Sequence, residues 1–273
     1  MPGDDHLRFV ALGDSQTEGV GDGDDTVGLR GCADRLAERL ALHHPGVQYA
    51  NLAVRGRLAG QVREEQLAPA LALRPDLATV IAGVNDLLRP RFDADEVAGH
   101  LEAMFAALTG QGVRVATVTF PDVARITPLA RPLSSRVTAL NHRIRQAAHR
   151  HRVAVAETSH HPVVTDARLW SPDRLHAGPL GHDRIAAALA HALDLPGSDD
   201  SWTHPLPAQA AVPSGWRTLG GELRWVASFV GPWLGRRLRG HSSGDGRTAK
   251  RPDLLPVRTA PAGGETAEDG TSV

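Results

Sequence analysis

An α/β fold, with a parallel sheet covered by helices on both faces, is what this sequence predicts. Three observations carry the prediction. Short runs of almost continuous apolar residues, such as Phe9-Val10-Ala11-Leu12, have the character of strands buried on both faces. Stretches with apolar residues at helical spacing separate them. Polar clusters follow three of the runs directly, where an open α/β sheet gathers its functional groups.

Taken in order, residues 7–12 form the first strand. Residues 29–42 form a helix on Leu29, Cys32-Ala33, Leu36 and Leu40, stopped at His43-His44-Pro45-Gly46. Residues 47–52 are a second strand. Residues 58–73 carry a helix expected to break near Pro69. Residues 77–82 are a third strand, apolar at all positions but Thr79. Asp93 is the N-cap of a helix over 93–108. A fourth strand over 113–120 stops at Pro121, a helix covers 134–149, and 153–156 form a short fifth strand. The last helix spans about 180–193 and ends before Pro196-Gly197. Residues 1–197 are read as one domain. Residues 198–215 have the Pro, Ser, Ala and Asp content of a linker. Residues 216–239 form an amphipathic segment with Trp216, Trp225 and Trp233 and the basic run Arg236-Arg237-Leu238-Arg239. Its apolar face is expected to dock on the domain or to meet an anionic membrane surface. Residues 240–273 have few apolar anchors and are expected to be disordered.

Composition narrows the function. The chain has 273 residues and a formal net charge of -1, so bulk charge points to no nucleic acid partner. Cys32 is the single cysteine, which excludes an internal disulfide and a cysteine-based metal cluster. Burial as a structural thiol is its expected state. No basic stretch followed by a long apolar run opens the chain, and no apolar run has the length of a membrane span. The expected location is the cytoplasm. The acidic stretch Gly21-Asp22-Gly23-Asp24-Asp25 lacks the spacing of a calcium loop and is expected to be a mobile surface loop.

The chemistry centres on Gly13-Asp14-Ser15. A serine between a buried strand and a helix presents its hydroxyl at a sheet edge where backbone N–H groups are also free, as a nucleophile requires. A helix cap would use the same residues. Three further blocks decide between them. Asn51-Leu52-Ala53-Val54-Arg55-Gly56 follows the second strand, Gly83-Val84-Asn85-Asp86 the third, and Asp173-Arg174-Leu175-His176 precedes the last helix.

With these four blocks in this order over residues 7–193, the chain resembles the SGNH hydrolases, the GDSL esterase/lipase superfamily. The resemblance implies a three-layer α/β/α fold of flavodoxin type, here with a five-stranded parallel sheet and a C-terminal extension. It implies a serine hydrolase for a small-molecule carboxylic ester, most simply one with a short acyl chain, with no metal or other cofactor. Lysophospholipase, thioesterase and carbohydrate O-deacetylase activities stay open, as does a binding module on an inactive scaffold. It also implies roles. Ser15 is the nucleophile, His176 its base, and Asp173 the acid that orients the imidazole. The Ser15 N–H, the Gly56 N–H and the Asn85 amide are the oxyanion donors, each worth roughly 3 kcal/mol in the transition state. Asp14, Asn51 and Asp86 support the loops. His182, in Gly181-His182-Asp183, is a rival base.

Overall fold

The computed structural model describes residues 6–208, 227–228 and 242–257. Within them the strands are β1 (Arg8–Gly13), β2 (Gly23–Asp24), β3 (Gly28–Leu29), β4 (Gln48–Asn51), β5 (Leu77–Ile81), β6 (Arg114–Val118), β7 (Ala154–Ala156) and β8 (Arg251–Pro256). The main helices are α1 (Ser15–Glu18), α2 (Cys32–His43), α3 (Ala59–Ala72), α4 (Val84–Leu87), α5 (Ala94–Gly110), α6 (Val123–Ile126), α7 (Ser134–Arg150) and α8 (Pro179–Ala192).

The sheet order is β7-β6-β5-β1-β4-β8. The strands from β7 to β4 are parallel and reproduce the flavodoxin-like order expected from the sequence. Helices α2 and α8 pack together in one layer, and α3, α5 and α7 form the other. The central strand β1 is sealed between them, with Phe9, Val10, Ala11 and Leu12 fully buried. Burial of such aliphatic and aromatic side chains stabilises by about 1.5–3 kcal/mol each, which is why these runs sit in the middle of the sheet.

Several expectations need correction. The sheet has six strands rather than five. Residues 242–257, expected to be disordered, return to the sheet, and β8 pairs antiparallel with β4. An edge strand needs only one row of backbone partners, so it forms without an apolar pattern of its own. The rest of the 240–273 segment, and the amphipathic segment at 216–239 apart from 227–228, lie outside the described residues. The linker expected from residue 198 does not leave the domain at once. Trp202 is buried, stacks edge-on against His161, and donates its indole N–H to His191 of α8 at 3.2 Å.

Residues 21–29 are not a loose loop. β2 and β3 pair as a short hairpin, and Asp22 is ion-paired with Arg35. Leu29 therefore belongs to the hairpin and α2 begins at Cys32, capped from Gly31, whose N–H donates to Asp34 at 2.7 Å. Finally, α3 runs through Pro69. The proline lies in the last turn, where it removes one hydrogen bond only, and buried Ala70 holds the turn against the core. At α5 the expected cap is present: the Asp93 carboxylate accepts from the N–H of Asp95 at 2.8 Å.

Among the described residues no helix is long and apolar enough to cross a membrane.

Candidate active site

Strand β1 ends at Gly13 and its chain turns at once into α1, so Ser15 occupies the first helical position. There its N–H has no intrahelical acceptor. Gln66 of α3 pins the strand end from below: the Gly13 N–H donates to Gln66 Oε1, and Gln66 Nε2–H donates to the Gly13 carbonyl, both at 2.9 Å. The Asp14 carboxylate accepts from the Gln16 N–H at 3.3 Å and caps the short helix. Ser15 is only 8 % exposed.

His176 reaches this serine from the loop before α8. Its Nε2 stands 2.9 Å from Ser15 Oγ. On the other side of the ring, Nδ1 stands 2.6 Å from Asp173 Oδ2. The second oxygen, Asp173 Oδ1, accepts from Ser171 Oγ at 2.6 Å and from the N–H groups of Leu175 at 2.9 Å and His176 at 3.0 Å. Burial works against the Asp173 charge. The hydrogen bond and charge of the His176 ring, with the His176 N–H and Ser171, overcome it and hold the carboxyl well below the usual carboxylate range. A carboxylate so held fixes the ring with Nδ1 protonated and leaves Nε2 facing the serine as acceptor.

His182 does not take part in this relay. It is fully buried on α8 and its Nε2–H donates to the Val20 carbonyl at 3.1 Å. Burial pushes its pKa down to about 4, so the ring is a neutral tether for the chain leaving α1.

The three expected oxyanion donors are brought to one end of the sheet, in different states. Gly56 adopts a φ of +78°, a left-handed conformation that glycine takes without strain, and among the described residues its N–H has no acceptor. Asn85 lies in α4 after β5. Its Nδ2 donates to Asp14 Oδ2 at 3.2 Å and to the Arg57 carbonyl at 3.1 Å, so both amide hydrogens are engaged in this geometry. An oxyanion would have to take over one of these bonds. Burial pushes the Asp14 pKa up to about 7, against the Gln16 N–H that favours the anion, so near neutral pH this partner of Asn85 exchanges between carboxylate and carboxyl.

The supporting residues tie the loops together. Asn51 Nδ2 donates to the Thr17 carbonyl of α1 at 2.8 Å and to Tyr49 Oη at 2.9 Å, and its Oδ1 accepts from the Ala53 N–H at 3.1 Å. Asp86 of α4 accepts from the Ala59 N–H at 3.0 Å and so caps α3; burial raises its pKa.

Two contacts were not anticipated from the sequence. Gln16 Nε2–H donates to the Leu175 carbonyl at 3.0 Å, and Gln16 Oε1 accepts from the Ala177 N–H at 3.2 Å. Glu18, almost fully buried, takes the Arg55 N–H at 2.6 Å and the Arg55 guanidinium at 2.8 Å. In both cases the only sequence signal is a long polar side chain within the turn that follows Ser15.

Beside the relay lies a cavity of about 90 Å³. Its walls include Ile81, Val84, Leu87, Phe120, Leu175 and Ile185. Val84 and Leu175 directly precede Asn85 and His176 in the chain. Among the described residues no group of three or more His, Cys, Asp or Glu side chains converges as a metal-ligand set.

Comparison with known proteins agrees with this architecture. The chain is similar to the lipase/acylhydrolase from Enterococcus faecalis, at 20 % identity and a TM-score of 0.56, over 75 % of this chain and 100 % of that one. It is similar to a variant of Axe2, an acetyl xylan esterase from Geobacillus stearothermophilus, at 17 % identity and a TM-score of 0.58, over 71 % and 95 % of the two chains. It is also similar to the psychrotrophic esterase EstA from Pseudoalteromonas, at 15 % identity and a TM-score of 0.52, over 68 % and 96 %. At these identities the likeness is one of fold. A sequence search among curated proteins found no match. The model of the GDSL-like lipase/acylhydrolase family matches residues 11–184, from within β1 to within α8, and the chain belongs to that family.

Proposed function

We propose that this protein is a serine esterase that hydrolyses a carboxylic ester by two-step acyl transfer. The observation that carries the reading is the unbroken relay from Ser15 Oγ to His176 to Asp173, at 2.9 and 2.6 Å. Ser15 Oγ attacks the ester carbonyl as its proton passes to His176 Nε2. The negative charge on the former carbonyl oxygen rests on the N–H groups of Ser15 and Gly56 and on the Asn85 amide, which exchanges its bond to Asp14 for the oxyanion. The C–O bond to the alcohol breaks and the alcohol leaves with the His176 proton. Water then gives a proton to His176 and attacks the acyl-serine, and Ser15 recovers its proton as the acid departs. Asp173 keeps its charge throughout and stabilises the imidazolium.

A short acyl chain is the one we assign, with the apolar cavity whose walls include Val84 and Leu175, the chain neighbours of Asn85 and His176, as its candidate seat. The test is hydrolysis of p-nitrophenyl esters from acetyl to decanoyl, alongside acetylated xylan, by wild type and by Ser15→Ala. Activity that is greatest on the short-chain esters and vanishes in Ser15→Ala is the expected result. Ser15→Ala retaining wild-type rates in folded protein overturns the serine mechanism. A preference for acetylated xylan would identify a deacetylase instead.

A further inference from the structure

The segment that follows residue 241 lies outside the region matched by the family, yet it touches the site. At Ser242 to Gly244 the chain sits directly on the Arg55–Gly56 turn. A Cβ added to Gly56 would lie 2.3 Å from Ser242 Oγ and 3.0 Å from Ser243 Oγ. A Cβ added to Gly244 would lie 2.1 Å from the Arg55 carbonyl oxygen, so only glycine permits this approach. Farther along, Arg247 grips Asp25 with both terminal nitrogens, at 3.0 and 2.6 Å. Asp25 in turn takes Arg55 Nη2 at 3.0 Å, and Arg55 is bound to Glu18 of the nucleophile's own helix. Lys250 Nζ donates to the Leu29 carbonyl at 3.0 Å and to Asp34 at 2.6 Å, and β8 completes the hold by pairing with β4.

We propose that residues 242–257 are a positioning strap for the oxyanion site, holding the Arg55–Gly56 turn so that the Gly56 N–H faces the reacting carbonyl. The inference rests on the esterase reading above. Within the domain the turn is held through Arg55 by Glu18 and Asp25, and its neighbour Arg57 is tied to Asn85 and Glu65. The strap adds a further hold, the ion pair of its Arg247 with Asp25 of the β2–β3 hairpin, whose side chains are 39 % and 54 % exposed and whose loss leaves the core untouched. Its role is to position a donor; no strap residue is assigned to the reacting atoms.

The experiment compares full-length Arg247→Ala, Asp25→Asn, Arg247→Lys and Gly244→Val with wild type and Ser15→Ala. It measures kcat and KM on p-nitrophenyl butyrate, the inhibition constant of an alkyl boronic acid, and the melting temperature. A boronic acid forms a tetrahedral adduct on the serine and so reports the oxyanion site. Arg247→Ala and Asp25→Asn are expected to lower kcat about tenfold and to weaken the boronic acid by a similar factor, with KM and melting unchanged. Arg247→Lys is expected to restore most of kcat. Gly244→Val is expected to cost on the order of 100-fold in kcat, as removal of an oxyanion donor does. If Gly244→Val does not fold, the two exposed variants decide. Wild-type kcat in both of them overturns the strap while leaving Ser15 as nucleophile. A fall in kcat that follows melting, or a change confined to KM, overturns it equally. Wild-type activity in Ser15→Ala would instead sink the esterase reading itself.

Discussion

Gln16 holds the two residues that flank His176: its amide N–H is bonded to the Leu175 carbonyl and its amide oxygen to the Ala177 N–H, at 3.0 and 3.2 Å. The nucleophile's helix thus fixes the base by its backbone, independently of the bond between Ser15 and the imidazole. Gln16→Ala should lower kcat about 10- to 100-fold with little change in KM, because the ring is no longer held at the serine. It should also cost roughly 1–3 kcal/mol of stability, since a buried amide and a carbonyl lose their partner. Steady-state kinetics with urea unfolding of the same protein checks both.

Asp173→Asn removes the charge that balances the imidazolium and allows the wrong tautomer. A fall in kcat on the order of 10³–10⁴-fold is expected, as in serine proteases with the same change. Stability should respond as well. The folded Asp173 carboxyl is held below its unfolded value, so the wild type gains stability above the ordinary carboxylate range and loses it as pH falls through the folded value. Unfolding free energies between pH 3 and 7 should therefore show a shallower acid limb in Asp173→Asn.

Asp14 should behave in the opposite sense. Its pKa is pushed from 3.8 to about 7 in the folded chain by burial. Between these values the folded protein keeps a proton that the unfolded chain has released, so this group makes stability fall as pH rises from about 4 to about 7, and contributes no further slope above. Asp14→Asn, which keeps an oxygen for the Gln16 N–H, should lose that slope. Its stability relative to wild type should be greater at pH 8 than at pH 4, which denaturation at the two values would show.

Cys32 is fully buried and burial pushes its thiol pKa up to about 12. A thiol reagent should leave the native protein unmodified at pH 8 and label one site at the rate of a free cysteine in denaturant. Rapid labelling of the native protein would show that α2 opens locally.

The parallel core was legible because its strands are buried on both faces. Leu77 to Ile81 is apolar at nearly every position, and a pattern that dense admits few other environments. Ser15 and Asn85 stood out because each lies in a short block that follows an apolar run, whereas Gly56 and His176 were singled out by the resemblance of the ordered blocks to a family. What escaped were contacts between distant side chains and backbone. Nothing around Gln16 indicates a partner 161 residues away. Strand β8 escaped because Arg-Pro-Asp-Leu-Leu-Pro has no alternation, and its pairing depends on the open edge of β4 rather than on its own residues. The engagement of Asn85 with Asp14 escaped because it requires both loops to be placed first.

Strand β8 also settles how the sheet meets the outside. Without it, β4 would present a full row of unpaired N–H and carbonyl groups, a template on which strands of other copies could assemble. The strand laid over that edge begins with Arg251-Pro252 and ends with Pro256, and its prolines carry no N–H to offer onward. The same segment that steadies the Gly56 turn therefore ends the ladder, and a chain shortened before residue 251 should gain a tendency to aggregate edge to edge.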